Sequence, residues 1–359
     1  MRKEVEKMNK KIFTGAMIFT GTVIGAGFAS GQEIWIFFGS YGGAGLIGVL
    51  LAGIILAVTG TGIFLGISDG DFSSYGEFCE KTGGKAAGSF IAALGIIFMF
   101  AAVCVMFAGS GALFSQQLGF DYRTGVLFMA VICFLCLIFG IKSVSVINCV
   151  LTPLMVLGIM ILGFFSIIYG CRSVSAGYSS LLSVSGSFVS AVVYVSYNLL
   201  AVPSVLVSTP KLSRREAVFA GLTGGGLLGA LGLIMYLISV KPGFMTAELP
   251  ALRAANIINA NFGVIYGVLI YFSMLTTVIG NAYGLVSVIC GRLGFSFFPT
   301  SAVIILCAGA ASVLGFSRLV GSLYFSVGYA AVLITVLLMI YSLKKLKKPL
   351  SKADKSRCK

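Results

Sequence analysis

Glu33 sits well inside an apolar run of this chain, KIFTGAMIFTGTVIGAGFASGQEIWIFFGSYG. An ionised carboxylate away from water is costly unless paired or hydrated, so a functional role is the first reading. Gly21, Gly25, Gly27 and Gly31 precede it in the same run. Each glycine costs a helix about 1 kcal/mol relative to alanine, so together they favour an unwound stretch. Ser30-Gly31-Gln32-Glu33 then fits S-x-x-E, the capping box that opens a helix. A start signal inside an apolar run implies that a helix stops and restarts there, and capping is the competing role for Glu33. Helix rise puts Glu33 roughly 10 Å beyond the break, which suits a gate or a proton-sensitive group in an outer vestibule.

A second constellation lies in SGSFVSAVVYVSYNLLAVPSVLVS, where Tyr194, Ser196, Tyr197 and Asn198 precede Pro203. Proline withholds a backbone donor and clashes with the carbonyl four residues back. That predicts disruption between Asn198 and Val202, beside the polar cluster. Two interrupted membrane helices in matching halves of a chain point to a transport site.

Other chemistries are thinly supplied. Cys133 and Cys136 form a C-x-x-C, but the chain has no histidine and no acidic residue lies near them, so no metal or redox site is expected. Cys104, Cys149, Cys290 and Cys307 also lie in apolar runs, as small hydrophobes. The run from Gly221 to Gly232, GLTGGGLLGALG, lacks the Gly-Lys-Ser/Thr of a phosphate loop and reads as a packing face. One carboxylate inside the spans leaves no acid–base pair, so an enzyme is not expected.

The elements that must position these residues are membrane helices. Of the 359 residues 58% are hydrophobic and only 10% charged, against about 25% charged in a soluble domain. Apolar runs bounded by charges, glycine or proline predict ten spans, at 11–40, 43–67, 86–118, 124–141, 144–170, 185–208, 216–240, 261–290, 297–315 and 319–343. Lipid offers the backbone no partners, so the spans are helical. The basic start MRKEVEKMNKK and the small residues near Ala29 imitate a secretory signal, but the apolar pattern resumes at IWIFF and the topology uses the segment.

An even number of spans puts both termini on one side. That side collects Arg2, Lys3, Lys7, Lys10, Lys11, Lys81, Lys85, Lys142, Lys211, Arg214, Arg215, Arg292 and the basic tail, leaving Arg123, Arg172, Lys241, Arg253 and Arg318 opposite. The positive-inside rule makes it the cytoplasm. The formal charge of +14 then faces anionic lipid headgroups, and no aromatic-laced basic groove suggests nucleic acid. Residues 1–343 read as one transmembrane domain and 344–359 as a basic cytoplasmic tail. Spans 1, 3 and 5 and spans 6, 8 and 10 start roughly 175 residues apart, which predicts two five-span halves, about 11–170 and 185–343, inserted with opposite topology.

The GTVIGAGFASGQE run resembles the YkvI-type family of bacterial membrane proteins, a likeness covering essentially the whole chain, and more broadly the amino acid–polyamine–cation superfamily with its LeuT-type fold. That resemblance implies an all-α fold of ten helices, with helices 1 and 6 broken. By analogy with sodium symporters of that fold, the break in helix 1 offers the amides of Ala26 and Gly27 to a substrate carboxylate. A sodium ion would take carbonyls at Gly21 and Ile24 and oxygens at Ser273, Thr276 and Thr277 of FSMLTTVIG. Proton-coupled relatives carry a lysine on helix 5, where this chain has only Lys142 at the mouth.

The expected function is secondary transport of a small solute, an amino acid or related zwitterion, with sodium coupling, or proton coupling in its place. Gly25, Ala26, Gly27, Tyr194, Ser196, Tyr197 and Asn198 are the candidate substrate residues. The rival is a membrane receptor of the same fold, like a germinant-receptor subunit, that binds a ligand without moving it. No filter motif or charged ring supports a channel. No cofactor beyond the ion is expected, and the oligomeric state is left open.

Overall fold

A computed structural model of the chain describes residues 2–72, 75–139, 144–168, 181–206, 212–240 and 247–347. Lys142, Arg172, Lys211, Lys241 and the tail beyond 347 lie outside them. The first expected span is three helices, α1 (Arg2–Val23), α2 (Ala26–Ala29) and α3 (Gln32–Phe37). Spans two to five are α4 (Gly43–Ser68), α5 (Tyr75–Leu118), α6 (Tyr122–Phe139) and α7 (Val144–Ile168). Spans six and seven are α8 (Leu181–Leu206) and α9 (Arg214–Ser239), and the short helix α10 (Pro250–Ile258) precedes the eighth, α11 (Ala260–Leu293). The ninth is α12 (Phe297–Ser312). The tenth is divided into α13 (Phe316–Leu319), a π-helical turn (Val320–Tyr324), α14 (Phe325–Ala330) and α15 (Val332–Lys347).

Five of the described helical stretches are long and apolar enough by themselves to cross a membrane: Gly43–Ser68, Gly83–Leu118, Val184–Pro203, Arg214–Ser239 and Ala260–Leu293. The third span begins where α5 kinks at Gly84, whose φ of 75° only glycine adopts cheaply. Leu127, Val131 and Leu135 of α6, Leu157 and Phe164 of α7 and Val303 and Leu306 of α12 are exposed. Such apolar faces suit lipid contact.

The packing carries the internal repeat. A shift of five spans exchanges α4 with α9 and α5 with α11, and each of these pairs packs together. The same shift maps other contacts onto one another. α4 packs on α8 as α9 packs on α1, and α15 lies on α4 and α8 as α7 lies on α9 and α1. α12 meets α5 as α6 meets α11. The fold is therefore two five-helix halves, as expected.

The seam between α4 and α9 explains the glycine-rich run. A Cβ on Gly225 would lie 2.3 Å from Ala57 Cα, one on Gly221 2.4 Å from Thr61 Cα, and one on Gly53 2.7 Å from Gly229 Cα. Only backbones this close, with no side chain between them, can pack this way.

Two expectations about local structure are corrected. α8 runs unbroken through Pro203 to Leu206, so no interruption opens between Asn198 and Val202. Neighbours can hold a proline-bearing membrane helix together without a break. The capping box at Ser30 does not form either. Gly31, at φ 79°, takes the N-cap position of α3 without a side-chain cap.

Candidate functional site

The first span breaks twice. After Val23 the chain turns extended at Gly25, with φ −87° and ψ −178°, and restarts as α2. Four amides at any helix start lack an internal acceptor. Here Ala26, Gly27 and Phe28 have no backbone acceptor among the described residues. The Gly25 amide folds back onto Val23 O at 2.8 Å, leaving the carbonyls of Gly21, Thr22 and Ile24 beyond the last helical bond of α1. A Cβ built on Gly25 meets nothing within 4 Å. The break therefore presents bare peptide groups beside open space.

The second break, at Ser30–Gly31, is held from outside. Ala29 O accepts from Tyr266 Oη of α11 at 2.7 Å, Ser30 O from the Ala251 amide of α10 at 2.8 Å, and Gly31 O from Ser239 Oγ of α9 at 3.1 Å. Gln32 adds a link to Ser317 Oγ at 2.8 Å. Four elements thus tie down the α2–α3 pair.

This tethering turns Glu33 back onto the first break. Its Oε1 lies against Gly27, where a Cβ would stand 2.1 Å away. Its Oε2 accepts from Tyr197 Oη of α8 at 2.7 Å, and the residue is 4% exposed. Glu33 is therefore beside the break and not roughly 10 Å outward of it, because the chain turns at Gly31 and straight-helix arithmetic does not apply. Its Oε2 accepts from Tyr197 and its Oε1 lies against Gly27, and no side-chain cap forms at the start of α3.

Rings cluster on Tyr197, the carboxylate's hydrogen-bond partner. Tyr197 packs on Tyr324 at 4.8 Å between centroids, on Phe37 at 5.5 Å, on Tyr194 at 5.5 Å and on Phe98 at 5.9 Å. Phe37 stacks on Phe325 at 4.2 Å. The π-helical turn carries Tyr324 into this cluster, and such turns recur at functional sites.

Of the four polar residues expected on α8, two reach the site. Tyr194 and Tyr197 face α3. Ser196 points elsewhere, bonding Val192 O at 2.6 Å and Thr335 Oγ1 of α15 at 2.7 Å. Asn198 donates to Tyr194 O of its own helix at 2.9 Å. Consecutive residues on a helix diverge by about 100°, so one face could not hold all four.

No protein-family model matches the chain. YkvI of Bacillus subtilis (strain 168), an uncharacterized membrane protein, is 28% identical over 319 residues, 88% of this chain and 92% of that one. YyaD of the same organism, also uncharacterized, is 22% identical over 329 residues, 90% and 95% of the two chains. Among solved structures, MhsT in complex with L-phenylalanine superposes with a TM-score of 0.64 at 15% identity, covering 92% of this chain and 87% of that one. A manganese transporter of Eremococcus coleocola gives 0.60 at 12%, covering 95% and 80%, and inward-facing Mhp1 gives 0.56 at 13%, covering 92% and 75%. The chain is thus similar to YkvI over most of its length and shares the LeuT-type fold of these solved structures.

In that LeuT-type frame the ion-site candidates fall on two helices. Ile24, Ser273 and Thr276 are buried and Thr277 is half-buried. Tyr266 of α11 bonds Ala29 O, and Ser273 to Thr277 lie about two to three turns farther along the same helix. Thr276 Oγ1 donates to Ser273 O at 3.2 Å, the backbone bond an ordinary membrane threonine makes. Gly21 abuts Thr152 of α7, whose Oγ1 would be 2.3 Å from a Cβ there. Thr152 was not singled out in the sequence; a hydroxyl beside Pro153 carries no local signal of what faces it.

A cavity of about 690 Å³ lies at the opposite end from the termini, lined in part by Gln116, Tyr122, Glu248, Arg253 and Asn256. Burial raises the Glu248 carboxyl, partly offset by the amides of Phe316 and Ser317. This cavity is a vestibule beside α10, away from the break. The cysteines Cys104, Cys133, Cys136, Cys290 and Cys307 are free thiols, with Cys104 and Cys133 buried.

Proposed function

We propose that this protein is a secondary transporter, not an enzyme, that carries a small amine-bearing solute, with amino acids and related zwitterions the first class to test. The observation that carries the reading is the unwound stretch at Gly25, where bare amides and carbonyls stand beside open space and a buried carboxylate, against α8. Irregular backbone at membrane depth persists where it lines a cavity, and half-helix ends there can bind substrate and ion. The likeness to LeuT-type transporters supports the same reading. Among the described residues no group of three His, Cys, Asp or Glu side chains could hold a metal ion, which favours an organic cargo over a transition metal.

In this proposal Gly21, Ile24, Ser273, Thr276 and Thr277 supply hard oxygens to a sodium ion that drives uptake. The protein sits in the bacterial cell membrane with both termini in the cytoplasm. Purified protein in liposomes should accumulate a labelled amino acid or amine under an inward sodium gradient and lose it when the gradient is collapsed. Binding without flux would favour the receptor reading, and proton-only dependence would remove the sodium site. Thr276→Val should weaken the sodium dependence on the order of tenfold, with thermal stability nearly unchanged because only one hydroxyl bond is lost.

A further inference from the structure

On the transport reading above, we propose that Glu33 and the rings clustered on Tyr197 form the subsite for the cationic group of the substrate. The preferred cargo then bears a net positive charge, as a simple amine or an amino acid with a basic side chain.

Glu33 is buried, yet no cation answers it. The ion pairs among the described residues are Lys11 with Glu216, Arg214 with Asp69, and Lys345 with Asp69 and Asp71. All lie at the end of the bundle that holds the start of α1 and the end of α15. A carboxylate removed from water needs a positive partner or a proton. Among the described residues its single hydrogen bond, from Tyr197 Oη, leaves Oε1 over Gly27 without a donor.

The groups left open around it are mostly acceptors. Tyr194 is 2% exposed and its hydroxyl is buried without a hydrogen-bond partner among the described residues. The carbonyl of Thr22, which the proposed sodium site does not use, opens at the adjacent break. An ammonium group has three donors and no acceptor, and it matches a carboxylate oxygen, a hydroxyl and a carbonyl. The aromatic cluster adds the electron-rich faces of Phe37, Tyr194, Tyr197 and Tyr324, which attract cations when water is excluded. Rings and a carboxylate together repel an anionic head. The amides of Ala26, Gly27 and Phe28, without a backbone acceptor among the described residues, can take a substrate carboxylate, so a basic amino acid also fits.

The test uses matched probes on the full chain in nanodiscs. Isoamylamine, leucine, isoamyl alcohol and 4-methylpentanoate share one side chain, and phenethylamine, phenylalanine, 2-phenylethanol and 3-phenylpropanoate share another. Wild-type protein should bind each amine at least about tenfold more tightly than its alcohol or acid, read by thermal shift and competition. Glu33→Gln keeps an acceptor for Tyr197 and should abolish that preference, a loss of at least about tenfold. Tyr194→Phe, which removes a hydroxyl with no hydrogen-bond partner among the described residues, should fold as well as wild type and weaken the amines alone. That variant decides the matter if Glu33→Gln fails to fold. Equal binding of alcohols and amines, or a preference that survives Glu33→Gln, overturns the proposal. Binding of the zwitterions alone, with only the pH dependence lost in Glu33→Gln, gives Glu33 a proton in place of the substrate and also overturns it, while transport stands. Amine binding without flux keeps the cation subsite and overturns transport.

Discussion

Glu33 and the glycines beside it show how far single residues could be read. The carboxylate was legible as a residue that needs a reason, because charge inside an apolar run is costly. Its position was not, since a turn at Gly31 carried it back to Gly27. The two glycines of the break have opposite surroundings, and that gives a paired prediction. Gly25→Ala places its methyl in open space at a backbone angle any residue adopts. Its unfolding free energy should stay within about 0.5 kcal/mol of wild type, while substrate affinity falls as the methyl enters the site. Gly27→Ala drives a methyl into Glu33 Oε1 and should cost about 1–3 kcal/mol. Thermal unfolding in detergent alongside uptake separates the two; equal loss of stability would refute the open space at Gly25.

At the scale of elements, two sequences of the same form met different fates. Ser213-Arg214-Arg215-Glu216 forms a full capping box at the start of α9. Ser30-Gly31-Gln32-Glu33 does not, although the spacing is identical. The difference is tertiary. Ser30 O is claimed by Ala251 and Glu33 by Tyr197, while Ser30 Oγ bonds Gly27 O at 3.0 Å and accepts from the Gln32 amide at 3.3 Å. Gly31 absorbs the change of direction at φ 79°. Gly31→Ala should therefore lose about 1–2 kcal/mol to backbone strain. It should also displace Ser239, whose Oγ would lie 2.7 Å from the new methyl. A lowered unfolding midpoint checks this; no change would mean that α3 can begin without a left-handed residue. The continuity of α8 is the same lesson in reverse. Pro203 announced disruption, but packing against α4, α14 and α15 keeps the helix whole.

Across the whole molecule, the two ends of the bundle are closed by different chemistry. Amide and hydroxyl bonds hold the end near α10, including Gln116 Nε2 to Leu249 O at 3.1 Å and Asn256 Nδ2 to Gln117 Oε1 at 2.7 Å. Charges hold the end near the termini. Lys345 Nζ lies 2.6 Å from Asp69 and 2.7 Å from Asp71, Arg214 joins Asp69 at 3.1 Å, and Tyr341 donates to Asp71. This network ties α4, α9 and α15 together. Burial works to raise the Asp71 carboxyl, but hydrogen bonds from Lys345 and Tyr341 and the nearby charges outweigh it and hold the group below its ordinary value. Burial likewise opposes the Lys345 charge, and the two aspartates outweigh that and raise it. A depressed carboxylate stabilises above its unfolded pKa and loses that as acid protonates it; a raised lysine stabilises below its unfolded pKa and loses that in alkali. The network should therefore hold from about pH 4 to about pH 10. Unfolding midpoints should fall below about pH 4, and Asp71→Asn should flatten that fall. An unchanged acid limb in the variant would remove Asp71 from the network's pH response.

Composition and periodicity by themselves determined the membrane class, the spans and the two-halved plan. Runs of lipid-facing residues and glycine seams repeat along the chain, and each is a local signal tied to a helix length or a backbone approach. The break at Gly25 was legible for the same reason, since four glycines weaken one helix wherever it packs. Which side chains meet there was decided only in three dimensions. Ser196 turned to Thr335, Thr152 came to Gly21, and Tyr324 reached Tyr197 through a π-helical turn. Those pairings join residues from distant spans, so their geometry depends on helix rotation and on where a turn reverses, neither of which is written in neighbouring residues.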